Sequence, residues 1–104
     1  MITMRLWPAA EQGPGWYVGA SQIAGRGVFA GRDYPAGDKI AQGITKWGKI
    51  TDFGSWINHS WTPNTQLDVD WYLRTITPVA KNTEFTLDYR QTPWFVDKPD
   101  PKWS

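Results

Sequence analysis

Thr65-Gln66-Leu67-Asp68-Val69-Asp70-Trp71-Tyr72-Leu73-Arg74-Thr75 carries the clearest period in the chain: Leu67, Val69, Trp71 and Leu73 alternate with Gln66, Asp68, Asp70 and Tyr72. Side chains two positions apart share one face of an extended backbone, so the alternation predicts a half-buried strand over Thr65–Thr75. Outward from it, Trp16–Ile23 (WYVGASQI), Asp38–Gln42 (DKIAQ) and Glu84–Tyr89 (EFTLDY) read as further strands. The 10 glycines and 8 prolines are scattered along the whole sequence and cut the apolar pattern into short pieces, which favours strands and turns over long helices. Tyr34-Pro35-Ala36-Gly37-Asp38 and Trp47-Gly48-Lys49 are the plainest turns, proline pre-setting one dihedral and glycine permitting positive φ. The one helix-like patch is Asp52–Ile57, where Asp52 is placed to cap and Phe53, Trp56 and Ile57 share a face. The pattern predicts a small, mostly-β domain with very short helical content and no internal repeat.

Composition narrows the function classes. At 104 residues the chain has the size of one domain, domains most often running to about 100–150 residues. Eleven basic against ten acidic residues leave a formal net charge of +1, which lacks the broad basic footprint of a nucleic-acid binder. Zero cysteines and one histidine, His59, argue against thiol catalysis, disulfides and any cysteine- or histidine-rich metal site. No apolar run reaches the length of a membrane span, and the opening MITMRLWPAAEQ lacks the apolar core of a signal peptide. The expectation is a soluble intracellular protein with no metal, no direct nucleic-acid binding and no membrane contact. Its oddity is 8 tryptophans beside 4 tyrosines and 4 phenylalanines.

Three blocks could carry chemistry. Ile23-Ala24-Gly25-Arg26-Gly27-Val28-Phe29-Ala30 (IAGRGVFA) contains two glycines one residue apart, which either form a tight turn between strands or let the backbone approach a ligand. It is not a dinucleotide fingerprint, because the third glycine and the following helix are missing. Ile57-Asn58-His59-Ser60-Trp61-Thr62-Pro63-Asn64 packs hydrogen-bonding side chains beside an apolar turn. Such a segment is either a loop satisfying its own backbone or one that finds partners elsewhere. Glu84–Tyr89, as a strand, sets Phe85, Leu87 and Tyr89 on one face and Glu84, Thr86 and Asp88 on the other. Tyr89 is then either an ordinary core tyrosine or one whose hydroxyl enters a cavity.

In this order, GRGVFA, NHSWTPN and EFTLDY resemble the SET-domain protein-lysine methyltransferases, whose members carry a GxG-[VL]-F-A segment, an NHSxxPN loop and an E-[LI]-T-x-D-Y strand. Arg32–Ile40 and Thr75–Ala80 are similar to the family's segments between those motifs. The resemblance covers about residues 17–90, and small viral or phage SET proteins are the nearest size class. It implies a single minimal SET domain over residues 1–104, built of small β-sheets with a C-terminal pseudo-knot, and an aromatic tail over residues 91–104.

The family moves a methyl group from S-adenosyl-L-methionine to a lysine ε-amine, leaving S-adenosyl-L-homocysteine. By that resemblance Tyr89 is the active-site tyrosine that orients the amine. The Gly25-Arg26-Gly27 backbone lies along the donor, with Arg26 near its carboxylate. Asn58 meets the donor's amino group through its amide oxygen, and the His59 backbone pairs with the adenine edge. Residues 58–64 form the loop through which the C-terminal segment threads. The implied partner is a lysine-containing protein or peptide, a histone tail being the family's usual target, and the implied compartment for a viral member is the host nucleus or cytoplasm.

Several features depart from the family pattern. Only Ala41–Ile57 stands where relatives carry a longer insert forming one wall of the peptide groove, leaving a groove that is open or completed by a second copy in a homodimer. Leu87 stands where many members have phenylalanine or tyrosine, a position lining the substrate channel, and Asn82-Thr83 replaces a Gly-Glu turn. With no cysteine-rich zinc module after the last motif, Trp94 and Phe95 of the tail are the expected lid of that channel. Two other readings stand beside the enzyme: a silent SET-like module that binds donor or peptide without turnover, and a tryptophan-rich β module that cages a sugar or methylated cation.

Overall fold

The computed structural model describes residues 11–91. Trp94 and Phe95, and with them the expected lid, lie outside the described residues. The element order is β1 (Gln12–Gly13), β2 (Trp16–Ala20), β3 (Arg26–Ala30), β4 (Lys39–Gln42), α1 (Asp52–Ser55), β5 (Asn58–His59), β6 (Thr65–Leu67), β7 (Tyr72–Thr75) and β8 (Thr86–Leu87), closed by a single 3-10 turn over Tyr89–Gln91. The architecture is mostly β, as the turn-rich sequence predicts. One antiparallel sheet has the order β1-β2-β3, a second the order β4-β7-β6, and β5 pairs in parallel with β8. Among the described residues no helix is long and apolar enough to cross a membrane.

The three pieces share one core. Val28, Ile44, Ile57, Leu73, Phe85 and Leu87 are fully buried, each contributing on the order of 1.5–3 kcal/mol by leaving water. Around them Trp16 meets Phe53 edge-on at 5.2 Å, and Tyr34 meets Phe85 at 5.3 Å, a geometry that sets positive ring edges on negative faces. The β2–β3 hairpin runs in register from Trp16 opposite Ala30 to Ala20 opposite Arg26. Beyond Ala20 the chain leaves the strand at Ser21, earlier than the predicted end at Ile23. Ser21 donates its N–H to the Gly25 carbonyl at 3.0 Å, and its hydroxyl accepts from the Ile23 amide at 2.9 Å.

Other boundaries differ from the sequence pattern for physical reasons. The segment Thr65–Thr75 is not one strand but the β6–β7 hairpin, with Leu67 directly opposite Leu73. Residues 68–71 form its turn: Trp71 donates to the Asp68 carbonyl at 2.9 Å, the Asp70 carboxylate accepts from the Tyr72 amide at 3.1 Å, and Trp71 takes φ of +64°. Val69, expected on the buried face, is therefore fully exposed. Helix α1 is capped by Thr51 rather than Asp52, its hydroxyl accepting from the Gly54 amide at 3.0 Å. Asp52 occupies the first turn instead, where a negative charge also suits the helix end. In the Glu84–Tyr89 block only Thr86–Leu87 is strand. Thr86 and Asp88 are buried alongside Phe85, Leu87 and Tyr89, so the predicted polar face is not a solvent face.

Candidate active site

The polar segment after α1 does find its partners elsewhere, in the block 84–91. With Asn58 opposite Thr86 and His59 opposite Leu87, the Ser60 amide continues the ladder to the Leu87 carbonyl at 3.1 Å. Asn64 grips the other end like a short strand: its Nδ2 donates to the Glu84 carbonyl at 2.8 Å, and its Oδ1 accepts from the Thr86 amide at 2.9 Å. Thr65 donates its hydroxyl to the Thr86 carbonyl at 2.6 Å, and Gln91 accepts from the Leu67 amide at 3.1 Å. Buried polar groups are tolerated only when paired, and this clasp pairs them over long sequence distances.

The clasp delivers Tyr89 to Ile57. The buried Tyr89 phenol donates to the Ile57 carbonyl at 2.6 Å, while the Tyr89 amide donates to His59 Nδ1 at 3.1 Å. Burial pushes the phenol well above its ordinary range, so it stays protonated at neutral pH and acts as a hydrogen-bonding hydroxyl rather than a base. Because His59 Nδ1 accepts, the neutral imidazole carries its proton on Nε2. Its ring stands edge-on to Trp61 at 4.4 Å and to Tyr89 at 5.2 Å. Burial lowers the His59 pKa, with the Asp88 charge acting in the opposite sense and Arg90 adding to the fall. Asp88 itself is held below the usual carboxylate range by Arg90, whose Nε reaches both carboxylate oxygens at 3.0 and 2.9 Å. Arg90 also lies over the Trp61 ring, 4.9 Å from its centroid.

Asn58, one residue beyond the carbonyl that receives Tyr89, faces the GxG hairpin. Its Nδ2 lies 3.1 Å from the carbonyls of Ala24 and Arg26, 3.1 Å from Ser21 Oγ and 2.9 Å from Glu84 Oε2. Ser21 Oγ in turn donates to the Glu84 carboxylate, 2.8 and 2.9 Å from its two oxygens. Gly25 takes φ of +46° with open space where a side chain would stand. Gly27 is the opposite case: a Cβ there would lie 2.2 Å from Glu84 Oε2 and 3.1 Å from Asn58 Nδ2. Arg26 pairs with the Glu11 carboxylate and lies over the Trp56 ring at 5.5 Å, its side chain about half exposed.

The fold thus gathers Gly25, Arg26, Gly27, Asn58, His59 and Tyr89 from three separate blocks. Leu87 lies fully buried in the core beside them. Ser21, Glu84 and the Ile57 carbonyl belong to the same cluster and were not singled out by sequence. Glu84 sat in a recognised block, but nothing in spacing pairs it with a serine 63 residues away. Among the described residues no group of three or more potential metal ligands forms.

No protein-family model matches the chain, and no curated protein matches it in sequence. Among solved structures it is similar to a candidate histone methyltransferase of Plasmodium falciparum, with a TM-score of 0.60 and 17% identity over 77% of this chain and 96% of that one. At this identity the likeness speaks for the fold alone, and the fold is the mostly-β, SET-like one that the three motifs imply.

Proposed function

We propose that the protein transfers a methyl group from S-adenosyl-L-methionine to the ε-amine of a protein lysine. The observation that carries this reading is the meeting of a phenol and a carboxamide on either side of one peptide unit: Tyr89 is hydrogen-bonded to the Ile57 carbonyl, and Asn58 follows directly, turned toward the GxG hairpin. The likeness to a candidate histone methyltransferase supports the fold on which this reading rests.

The residues present suit the donor's amino-acid end. An ammonium needs an acceptor, and the Asn58 carboxamide, its nitrogen held by the Ala24 and Arg26 carbonyls where the hairpin turns, keeps its oxygen for that role. A carboxylate needs a cation, and Arg26 already holds one in Glu11. Once bound, the donor supplies an electrophilic methyl group on a sulfonium. A lysine ammonium is a poor nucleophile because its unperturbed pKa is about 10.4; apolar surroundings and a neighbouring positive charge favour the neutral amine. Tyr89, held protonated, keeps its hydrogen on the Ile57 carbonyl and uses its oxygen lone pairs to accept from the amine N–H. Its buried aromatic ring, with His59 edge-on against it, excludes water from that point. The chain's contribution is therefore alignment and desolvation.

Radiolabelled methyl transfer to a histone mixture tests the proposal, with the same mixture acetylated on lysine as the control. Label on the untreated proteins alone is the expected result; no transfer, or equal label on both, overturns it.

A further inference from the structure

We propose that Glu84 is a positioning residue for the methyl donor, setting the orientation of the Asn58 carboxamide so that its oxygen meets the donor's ammonium. This deepens the proposed function and rests on it. A carboxamide has nearly the same shape when turned by half a rotation, so only its neighbours decide which end faces where. Around Asn58 the decision is one-sided. Its nitrogen faces four oxygen acceptors, from Ser21, Ala24, Arg26 and Glu84. The Glu84 oxygen is the nearest of them, at 2.9 Å, and the only one carrying a full charge. Reversed, the amide oxygen would stand against a carboxylate and two carbonyls. With the nitrogen committed, the oxygen is the end left to receive a ligand donor.

Gly27 supplies an independent observation. A methyl group there would overlap Glu84 Oε2 and crowd Asn58 Nδ2, whereas at Gly25 it would meet nothing. A side chain at the second glycine of the GxG segment would therefore push the Glu84 carboxylate from its place beside Asn58. Ser21 completes the brace, since its hydroxyl donates to Glu84 and accepts the Ile23 and Ala24 amides that shape the hairpin turn. The carboxylate, the amide and the turn are therefore a single unit, and removing the carboxylate takes away the nearest and the charged one of the four acceptors that fix the amide.

The test is calorimetric titration with S-adenosyl-L-homocysteine and with its deaminated analogue, which lacks only the amino group. Glu84→Ala is expected to weaken S-adenosyl-L-homocysteine binding by about tenfold or more while leaving the analogue within about twofold of wild type. Glu84→Gln, which retains an acceptor for Asn58, is expected to recover most of the loss. Ser21→Ala shows the same selectivity at smaller amplitude and decides the matter if Glu84→Ala melts as an unfolded chain. Equal weakening of both ligands, or of neither, overturns the role of Glu84 alone. Failure of the wild-type protein to bind S-adenosyl-L-homocysteine overturns the donor reading and this inference with it.

Discussion

Residues 58–64 and residues 68–71 are both polar turns without glycine, yet one is closed in the interior and the other at the surface. The first is closed from a distance: Asn64, Thr65 and Ser60 bond to residues 84–87, and the ring of His59 accepts from Tyr89. The second is closed at the surface, through Asp68, Asp70 and the positive φ of Trp71, with Lys39 reaching the Asp70 carboxylate at 2.7 Å, the Gly43 amide reaching the Trp71 carbonyl at 2.9 Å and Val69 projecting into solvent. Polar side chains in sequence do not distinguish these cases; whether their hydrogen bonds are buried or exposed does. A turn closed by exposed bonds tolerates change, while a turn whose polar groups are buried against a remote segment couples that segment to whatever the turn holds.

Breaking the clasp should have the largest consequence. Asn64→Ala leaves the Glu84 carbonyl and the Thr86 amide without their partner, and each orphaned backbone group costs about 1–3 kcal/mol. Urea unfolding should therefore show a loss of about 2–4 kcal/mol with an unchanged slope. A loss below about 1 kcal/mol would place the clasp's worth elsewhere.

Tyr89→Phe tests the clasp's chemical end rather than its strength. Deleting the hydroxyl removes the bond to the Ile57 carbonyl and should lower single-turnover methyl transfer by about tenfold or more, equivalent to about 1.4 kcal/mol in the barrier. Donor binding by calorimetry should stay unchanged. If affinity falls with the rate, the phenol shapes the donor pocket rather than orienting the amine.

What could be read from sequence follows the same division. Asn58, His59 and Tyr89 lie inside short motifs whose meaning is local, and the mostly-β class follows from glycine and proline spacing. The Ser21–Glu84 brace and the Ile57 carbonyl were not legible, because both are pairings between segments brought together only by folding. The β6–β7 hairpin reads as one strand in the sequence for a different reason. Its turn has no glycine or proline to punctuate it, Trp71 adopting the positive φ usually left to glycine. The apolar alternation therefore runs through the turn in phase. Thr51 and Asp52 are both good caps, and only the hydrogen bond to Gly54 distinguishes them.

His59 links the clasp to pH. Its folded-state pKa is lowered, chiefly by burial, so the unfolded chain takes up the proton first. The stability it confers is complete above the unfolded value of about 6.5 and is lost as pH falls from there toward the folded pKa. The carboxylates lowered by their partners, Asp68, Asp70 and Asp88, lose their contribution only at more acid pH, below their unfolded value of about 3.9. Thermal melts between about pH 7.5 and 5 should thus show a falling midpoint in wild type. In His59→Asn, whose side-chain oxygen can still accept from the Tyr89 amide, the slope should flatten. An equal slope in both proteins would remove His59 as its source.

The hairpin tip supplies the smallest expected effect and the sharpest contrast. Val69 touches solvent on all sides, and the turn it occupies is held by the Asp68 carbonyl and the Asp70 carboxylate rather than by its own side chain. Val69→Ser removes no buried surface and no hydrogen bond, so its unfolding free energy should lie within about 0.5 kcal/mol of wild type. Methyl transfer should also be unchanged, since the Asp68 and Asp70 carboxylates bond to Gln66, Arg74, Lys39 and Tyr72 and not to residues 84–91. A loss comparable to that of Asn64→Ala would mean that the exposed tip carries as much of the stability as the buried clasp, and the distinction between a turn closed at the surface and one closed in the core would fail for this fold.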